Sequence, residues 1–453
     1  MFGVSIAHLK DRIKKMKKYY SLSLLILLAM HVTAQQTADI NSFMQYCQAN
    51  FRFNGVVLLA DSNKIIYEHA FGKANMQTNE NNEPDTKFRI GSISKQFTSF
   101  VVLELIEEGK LSFNDHLAKF IDKFRQPDKQ GITVRNLLTH TSGLPDYTNF
   151  RNFNDKIYYS EDNIVEMIAD STLSFPPSTA YGYSNSNFYL LAQIIQKITG
   201  KDFDNVLNEF VLKKAGMLSS GEENGNAIKN EAKAYLFRSD STLAAPYIEM
   251  KNAKGGGGMY STAEDLLRWS LFFQHRLAVD TVLKNAIQPF AMPDGTKTIY
   301  ACGWCLMPEV IVHEGHINGF ANLIAIDTVR HHTIILLTNN DYLQLYITMQ
   351  SLRNILQNDI ASNEWIGNKP LDNLADYRGT YSIGNLKVNI KDTLNHLEAD
   401  ALGYKKLFLK WYDNDEFFFL NLEGIVKFKR DNTGNVIALK SFEDYSWITL
   451  KKE

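Results

Sequence analysis

The chain has 453 residues, 45% of them hydrophobic and 22% charged, which suits a globular protein with more than one core. A formal net charge of −2 provides no basic field, so the composition gives no support for a nucleic-acid partner.

The first segment differs from the rest. Basic "KDRIKKMKK" (Lys10–Lys18) precedes apolar "YYSLSLLILLAM" (Tyr19–Met30), and Val32-Thr33-Ala34 fits a small-x-small cleavage rule. Residues 1–34 are therefore expected to be a Sec-type signal peptide cut before Gln35, giving an exported, periplasmic or secreted protein. The apolar run is short for a bilayer span, and an uncleaved anchor is the alternative. The basic run lies far from Met1, so Met16 is a second candidate start.

After a short helix near Ala38–Gln48, "FNGVVLLADSNKIIYEHAFG" predicts two strands around a polar turn at Asp61–Lys64. A loop then leads through "KFRIGSISKQF" into an apolar-periodic helix closed by Gly109. From there to about Ile248 the pattern is mostly helical. "KGGGGMYSTAEDLLRW" places a glycine loop before a helix, with Ser261 and Glu264 at capping-box spacing. No GKS/T follows, so the glycines predict a tight turn beside a cleft rather than a phosphate loop.

From Thr298 strand signals return ("IYACGWCLMP", "VIVHEG", "FANLIAID", "HHTIILLTN"), followed by a long amphipathic helix. "CGWC" reads as part of one strand, where residues three apart face opposite ways; its two sulfurs diverge, and no redox or metal role is expected. Residues 35–360 thus form one sheet with a helical insertion. Residues 361–373 read as a linker. Residues 374–453 carry short strands with turn residues between them, expected to be a small all-β barrel or sandwich.

Three stretches carry possible chemistry. In Ser92-Ile93-Ser94-Lys95, helical positions i and i+3 share a face, and Lys95 leans back toward Ser92. A serine needs a base to become a nucleophile, and a lysine of depressed pKa can serve. The N–H of Ser92, in the first turn, could also bind an oxyanion. In "AYGYSNSNFYLL", Tyr183 can act as acid or base toward a leaving group. Asn185 can hold a substrate carbonyl while bonding the lysine. A rival Y-x-N, Tyr147-Thr148-Asn149, lies in a loop; Tyr183 is preferred because it stands at a helix entry. In "VIVHEGHINGF", His313 sits on a strand, Gly315 could leave room for a substrate backbone, and the His316 N–H could complete an oxyanion hole. "HEGH" is not H-E-x-x-H, so a zinc site is not expected.

In chain order the set is S-x-x-K, Y-x-N, H-x-G. It resembles the serine β-lactamase and penicillin-binding-protein superfamily, most closely its class C-like branch of D-alanyl-D-alanine peptidases, D-aminopeptidases and esterases. "FRIGSISKQFT", "VRNLLTHTSGLPDY" and "GGGMYSTAEDLLRW" resemble that branch too, and the resemblance spans about Asp39 to Asp359. The tail is more loosely similar to lipocalin-like modules. The resemblance implies an α/β (α+β) fold: an antiparallel sheet flanked by helices, with a helical subdomain. It implies acyl transfer through an acyl-enzyme on Ser92. Lys95 and Tyr183 would then be catalytic, and Asn185, His313, Gly315 and His316 would form the substrate and oxyanion site. No metal or organic cofactor is implied. The substrate would be a small molecule or peptide bearing an amide or ester, with peptidoglycan-type D-amino-acid peptides among the candidates. Two departures are plain: H-x-G replaces K-T-G, and no E-x-x-L-N stretch occurs. A β-lactamase and a non-catalytic cell-wall-peptide binder are the alternatives.

Overall fold

A computed structural model describes residues 35–357 and 374–453, apart from short internal stretches (50, 238–241, 293–294, 296, 308, 342–343, 385, 393–396, 402–406, 414, 420–424 and 444–445). The expected signal segment and linker lie outside the described residues.

A first helix, α1 (residues 35–49), precedes the hairpin β1 (Gly55–Asp61) and β2 (Lys64–Phe71), as the polar turn predicts. The helical region holds α2 (Ser94–Glu107), α3 (Asn185–Thr199) and α4 (Ala263–Val279). Strands β3 (Tyr300–Ala301), β4 (Trp304–Met307), β5 (Val310–Ile317), β6 (Phe320–Asp327) and β7 (His332–Thr338) follow, then α5 (Leu345–Leu356). The seven strands form one antiparallel sheet in the order β3-β4-β5-β6-β7-β1-β2. The hairpin nearest the start of the sheet thus pairs with the last strand.

Period-two alternation divides the sheet's side chains between two cores. Val56, Leu58, Ala60, Ile324, Ile335 and Leu337 pack with Phe97 and Phe100 of α2 and Trp269 of α4. Val57, Leu59, Leu323, Ala325, Ile334 and Leu336 face the terminal helices. There Ile40, Phe43, Met44 and Cys47 of α1 keep i, i+3, i+4, i+7 spacing, and Leu345, Met349, Leu352 and Leu356 of α5 keep i, i+4, i+7, i+11 spacing over three turns. Strand β6 is buried along its whole length, which explains why "FANLIAID" is nearly continuous in apolar residues.

Two local expectations change. "YACGWC" is not one strand: Cys302 and Gly303 are the two turn residues of the β3–β4 hairpin, with φ of 46° and 93° and Ala301 paired to Trp304. Cys302 therefore lies in the core on the α2 side and Cys305 in the core on the α5 side. The helix-capping residue of α4 is Thr262, whose hydroxyl accepts from the Asp265 N–H; Ser261 is the last residue of a short strand.

In the last segment eight antiparallel strands, β8 (Gly379–Ile383) through β15 (Ser446–Lys452), close into a barrel, with β8 pairing to both its neighbour and β15. Its core, including Tyr377, Tyr381, Phe417 and Phe428, is separate from the other two.

Candidate active site

Register explains where the site forms. Strand β4 pairs with β5 from Val310 to Val312, and among the described residues no strand pairs with His313–Ile317 on that side. The 3-10 turn Gly91–Ile93, which leads into α2, packs there instead. The approach is close: a Cβ on Gly315 would stand 1.8 Å from the Ile90 carbonyl oxygen, and one on Gly91 would stand 2.9 Å from the His316 amide nitrogen. The room left by Gly315 is thus filled by the chain's own backbone, not kept for a substrate. Asn322 on β6 secures this edge, its Nδ2 donating to the carbonyls of Arg89 (2.9 Å) and Gly315 (3.1 Å).

Helix α2 is buried from Ser94 through Leu105, and the polar side chains that face the site find partners there. Ser94 Oγ donates to the Gly91 carbonyl at 2.6 Å and accepts from the Met259 N–H at 3.2 Å. Thr98 Oγ1 donates to the Gly255 carbonyl at 2.6 Å. Lys95 is fully buried. Its Nζ lies 3.0 Å from Ser92 Oγ, 2.8 Å from Asn185 Oδ1 and 2.7 Å from the Gly256 carbonyl oxygen. Tyr183 donates its hydroxyl to Ser92 Oγ at 2.9 Å. The structure therefore gathers Ser92, Lys95, Tyr183 and Asn185 at one point.

Burial lowers the Lys95 pKa from 10.5 to about 7, against a smaller opposing effect from the Asp146 carboxylate. Of the three neighbours of Nζ, two are carbonyl oxygens, which can only accept, and the third is the Ser92 hydroxyl, which accepts from a charged Nζ and can donate to a neutral one.

Asp146, which sequence reasoning passed over, holds Asn185 in place. Its Oδ2 accepts from Asn185 Nδ2 at 2.8 Å and from the Asn185 backbone N–H at 3.2 Å. That leaves Asn185 Oδ1 turned to Lys95, with a carboxylate at the N-terminus of α3. The available signal was an aspartate between Pro145 and Tyr147.

Tyr147 does not reach Ser92. It is buried, and its hydroxyl donates to the Asn252 carbonyl. His313 is likewise fully buried behind the site, its Nε2 3.3 Å from the Tyr300 hydroxyl and its Nδ1 2.5 Å from the Glu314 carbonyl. Burial lowers its pKa to about 3, so this imidazole is neutral at ordinary pH. The His316 side chain, by contrast, is 42% exposed. It lines a cleft of about 800 Å³ together with Ser92, Asn185, Arg151, Gly256 and Gly257.

Gly256 and Gly257, within the Gly255–Gly258 run, form part of the wall of this cleft. Beneath it is buried Glu222, whose Oε1 accepts from the Gly255 N–H at 3.1 Å, and burial raises its pKa to about 8. The one acidic cluster with metal-ligand spacing among the described residues, Glu104, Glu107 and Asp280, is bridged by the Arg276 guanidinium at 2.6–2.8 Å. No described helix is long and apolar enough to cross a membrane.

A sheet with helices on both faces, and a serine–lysine–tyrosine cluster where α2 meets a strand edge, define the class. The Beta-lactamase family model matches residues 40–351, and the chain belongs to that family, within the serine β-lactamase and penicillin-binding-protein superfamily. It is 29% identical over 313 residues to Penicillin-binding protein 4* of Bacillus subtilis (strain 168), covering 64% of this chain and 69% of that protein. Its fold is similar to the octameric penicillin-binding protein homologue from Pyrococcus abyssi, with a TM-score of 0.66 at 20% identity over 92% of this chain and 98% of that one. It is also similar to a D-amino acid amidase from Ochrobactrum anthropi SV3, with a TM-score of 0.62 at 22% identity over 72% and 100%. The fold and family are those of serine hydrolases.

Proposed function

We propose that the protein is an exported serine hydrolase that cleaves an amide or ester through an acyl-enzyme on Ser92. The observation that carries this reading is the environment of Lys95 Nζ: buried, with a pKa lowered to about 7, bonded to Asn185 and Gly256, and 3.0 Å from the Ser92 hydroxyl, whose proton it can take once neutral.

Lys95 takes the Ser92 proton as Oγ attacks the substrate carbonyl. The backbone N–H groups of Ser92 and His316 receive the developing oxyanion. Tyr183, 2.9 Å from Oγ, gives a proton to the departing amine or alcohol. Water then releases the acyl group. Asn185 serves twice, ordering Lys95 and meeting substrate along the cleft.

The H-x-G strand bears on the substrate. With His313 buried and neutral, no fixed cation stands where K-T-G relatives place a lysine. This favours acyl donors that carry no carboxylate, such as D-amino-acid amides and small esters, over penicillins. Export rests on the basic-apolar-small pattern of residues 1–34, and residues 374–453 form a separate β unit.

The test is to treat the purified protein with a fluorophosphonate and, separately, with a fluorescent penicillin, then find the modified residue by mass spectrometry. Fluorophosphonate on Ser92, with slower penicillin labelling of the same residue, is expected. Labelling at another residue, or none, overturns the reading.

A further inference from the structure

His140, in the "LLTHTSGLP" stretch, takes no part in the chemistry above, yet its contacts converge on Tyr183. Its carbonyl accepts from the Gly182 N–H at 2.9 Å. Its Nδ1 accepts from the Ser184 N–H at 3.1 Å. The residues on both sides of Tyr183 are thus tied to one histidine. Between those ties the two rings lie face against face, with centroids 4.3 Å apart and planes inclined by 33°. The His140 ring also meets Phe188 at 5.2 Å and Tyr300 at 4.8 Å, so it cannot swing away.

We infer that His140 is a positioning residue that aims the Tyr183 hydroxyl at Ser92, by clamping the backbone on either side of Tyr183 and backing its ring. The inference rests on the proposed proton transfer from Tyr183 to the leaving group.

The chemistry of the imidazole agrees. A backbone N–H can only donate, so Nδ1 must be an acceptor and the ring proton sits on Nε2. Asn187 Nδ2, 2.9 Å from the same Nδ1, sets the same tautomer, and Ser142 Oγ orients Asn187 by donating to its Oδ1 at 2.6 Å. Protonating Nδ1 would break the tie to Ser184. Full burial near Lys95 and His313 opposes that protonation and holds the pKa well below its ordinary value. His140 is therefore a neutral splint, not a proton carrier. Its backbone φ of 54° lies in the left-handed region, where asparagine is the best-tolerated replacement with a side chain.

The experiment compares two esters of one acid, a p-nitrophenyl ester that leaves without help and an alkyl ester that needs a proton. Tyr183→Phe should depress the alkyl ester selectively, and this arm checks the underlying reading. If that variant treats both esters alike, the Tyr183 role falls and this inference with it. His140→Asn keeps an acceptor near the Nδ1 position but removes the ring. It should lose roughly ten-fold or more in alkyl-ester kcat, with little change for the aryl ester, since misplacing a catalytic group by about 1 Å can cost ~100-fold. Asn187→Ala, which leaves the ring in place, should move the ratio in the same direction by less, and it serves if His140→Asn folds poorly. A parental ester ratio in folded variants, while Tyr183→Phe shifts it, overturns the inference. A uniform loss on both esters that tracks a fall in Tm also overturns it, because that is what a purely structural histidine would give.

Discussion

Asn185 stands between Asp146 and Lys95, donating to the Asp146 carboxylate at 2.8 Å and accepting from Lys95 Nζ at 2.8 Å. A charge two residues away in this relay thus bears on the base without touching it. Acylation needs the neutral amine, so its rate should rise with pH through about 7, where Lys95 loses its proton. Asp146→Asn removes the carboxylate that favours the ammonium, and the rise should move to lower pH. Stopped-flow acylation of an activated ester at a series of pH values measures this. An unmoved or upward-moving limb contradicts the assignment of the limb to Lys95.

Ser92→Ala should abolish turnover and leave the fold intact, because the Ser92 hydroxyl bonds Lys95 and Tyr183, members of the site itself. Ser94→Ala should behave in the opposite manner. It deprives the buried Met259 N–H of its acceptor and the Gly91 carbonyl of a donor, at a cost of about 1–3 kcal/mol. Thermal melts and ester turnover on both variants separate the two cases.

Glu222 predicts a pH-dependent stability. Its pKa is raised from 4.5 to about 8 in the folded state, so between those values the native protein holds a proton that the unfolded chain has released. Stability from this group is therefore lost as pH rises from about 4.5 to 8, at up to ~1.4 kcal/mol per pH unit. Glu222→Gln keeps the acceptor for Gly255 and removes the titration. Its advantage over the parent should grow between pH 5 and pH 8 in chemical denaturation. A gap that stays constant with pH would show that the carboxyl is not protonated in the fold.

Removing Lys369–Glu453 should leave a folded hydrolase unit, since the barrel core shares no residue with the two cores of the sheet. Calorimetry of the truncated chain should show one cooperative transition. Aggregation or loss of that transition would mean that the two parts depend on each other.

Much of the architecture was legible because it rests on short-range periodicity. The β1–β2 hairpin, the buried β6 and the seven-residue spacing in α1 all follow from which residues are apolar. Ser92 and Lys95 were legible as a pair because helix geometry relates residues three apart. Tyr183 and Asn185 lie about ninety residues further on, and only the resemblance to a family linked them to that pair. Asp146 and His140 escaped because their partners are distant in sequence and their residue types are common in loops. The Cys302–Gly303 turn escaped for another reason: apolar flanks hid a two-residue reversal that only Gly303 betrayed. Gly315 was noticed, but the group it admits is the Ile90 carbonyl, and no local pattern reveals which backbone comes near.

The bare contact of Ile90 and Gly91 with Gly315 and His316 has a consequence for variation. With no side chain between nucleophile turn and sheet, there is nothing to trim or enlarge, and the spacing there cannot be tuned by substitution. Substrate preference can change only where the cleft is walled by replaceable side chains, such as Arg151, Thr148, Lys156 and Glu249. Mutant libraries aimed at new acyl donors should therefore concentrate on those walls and leave the strand edge untouched.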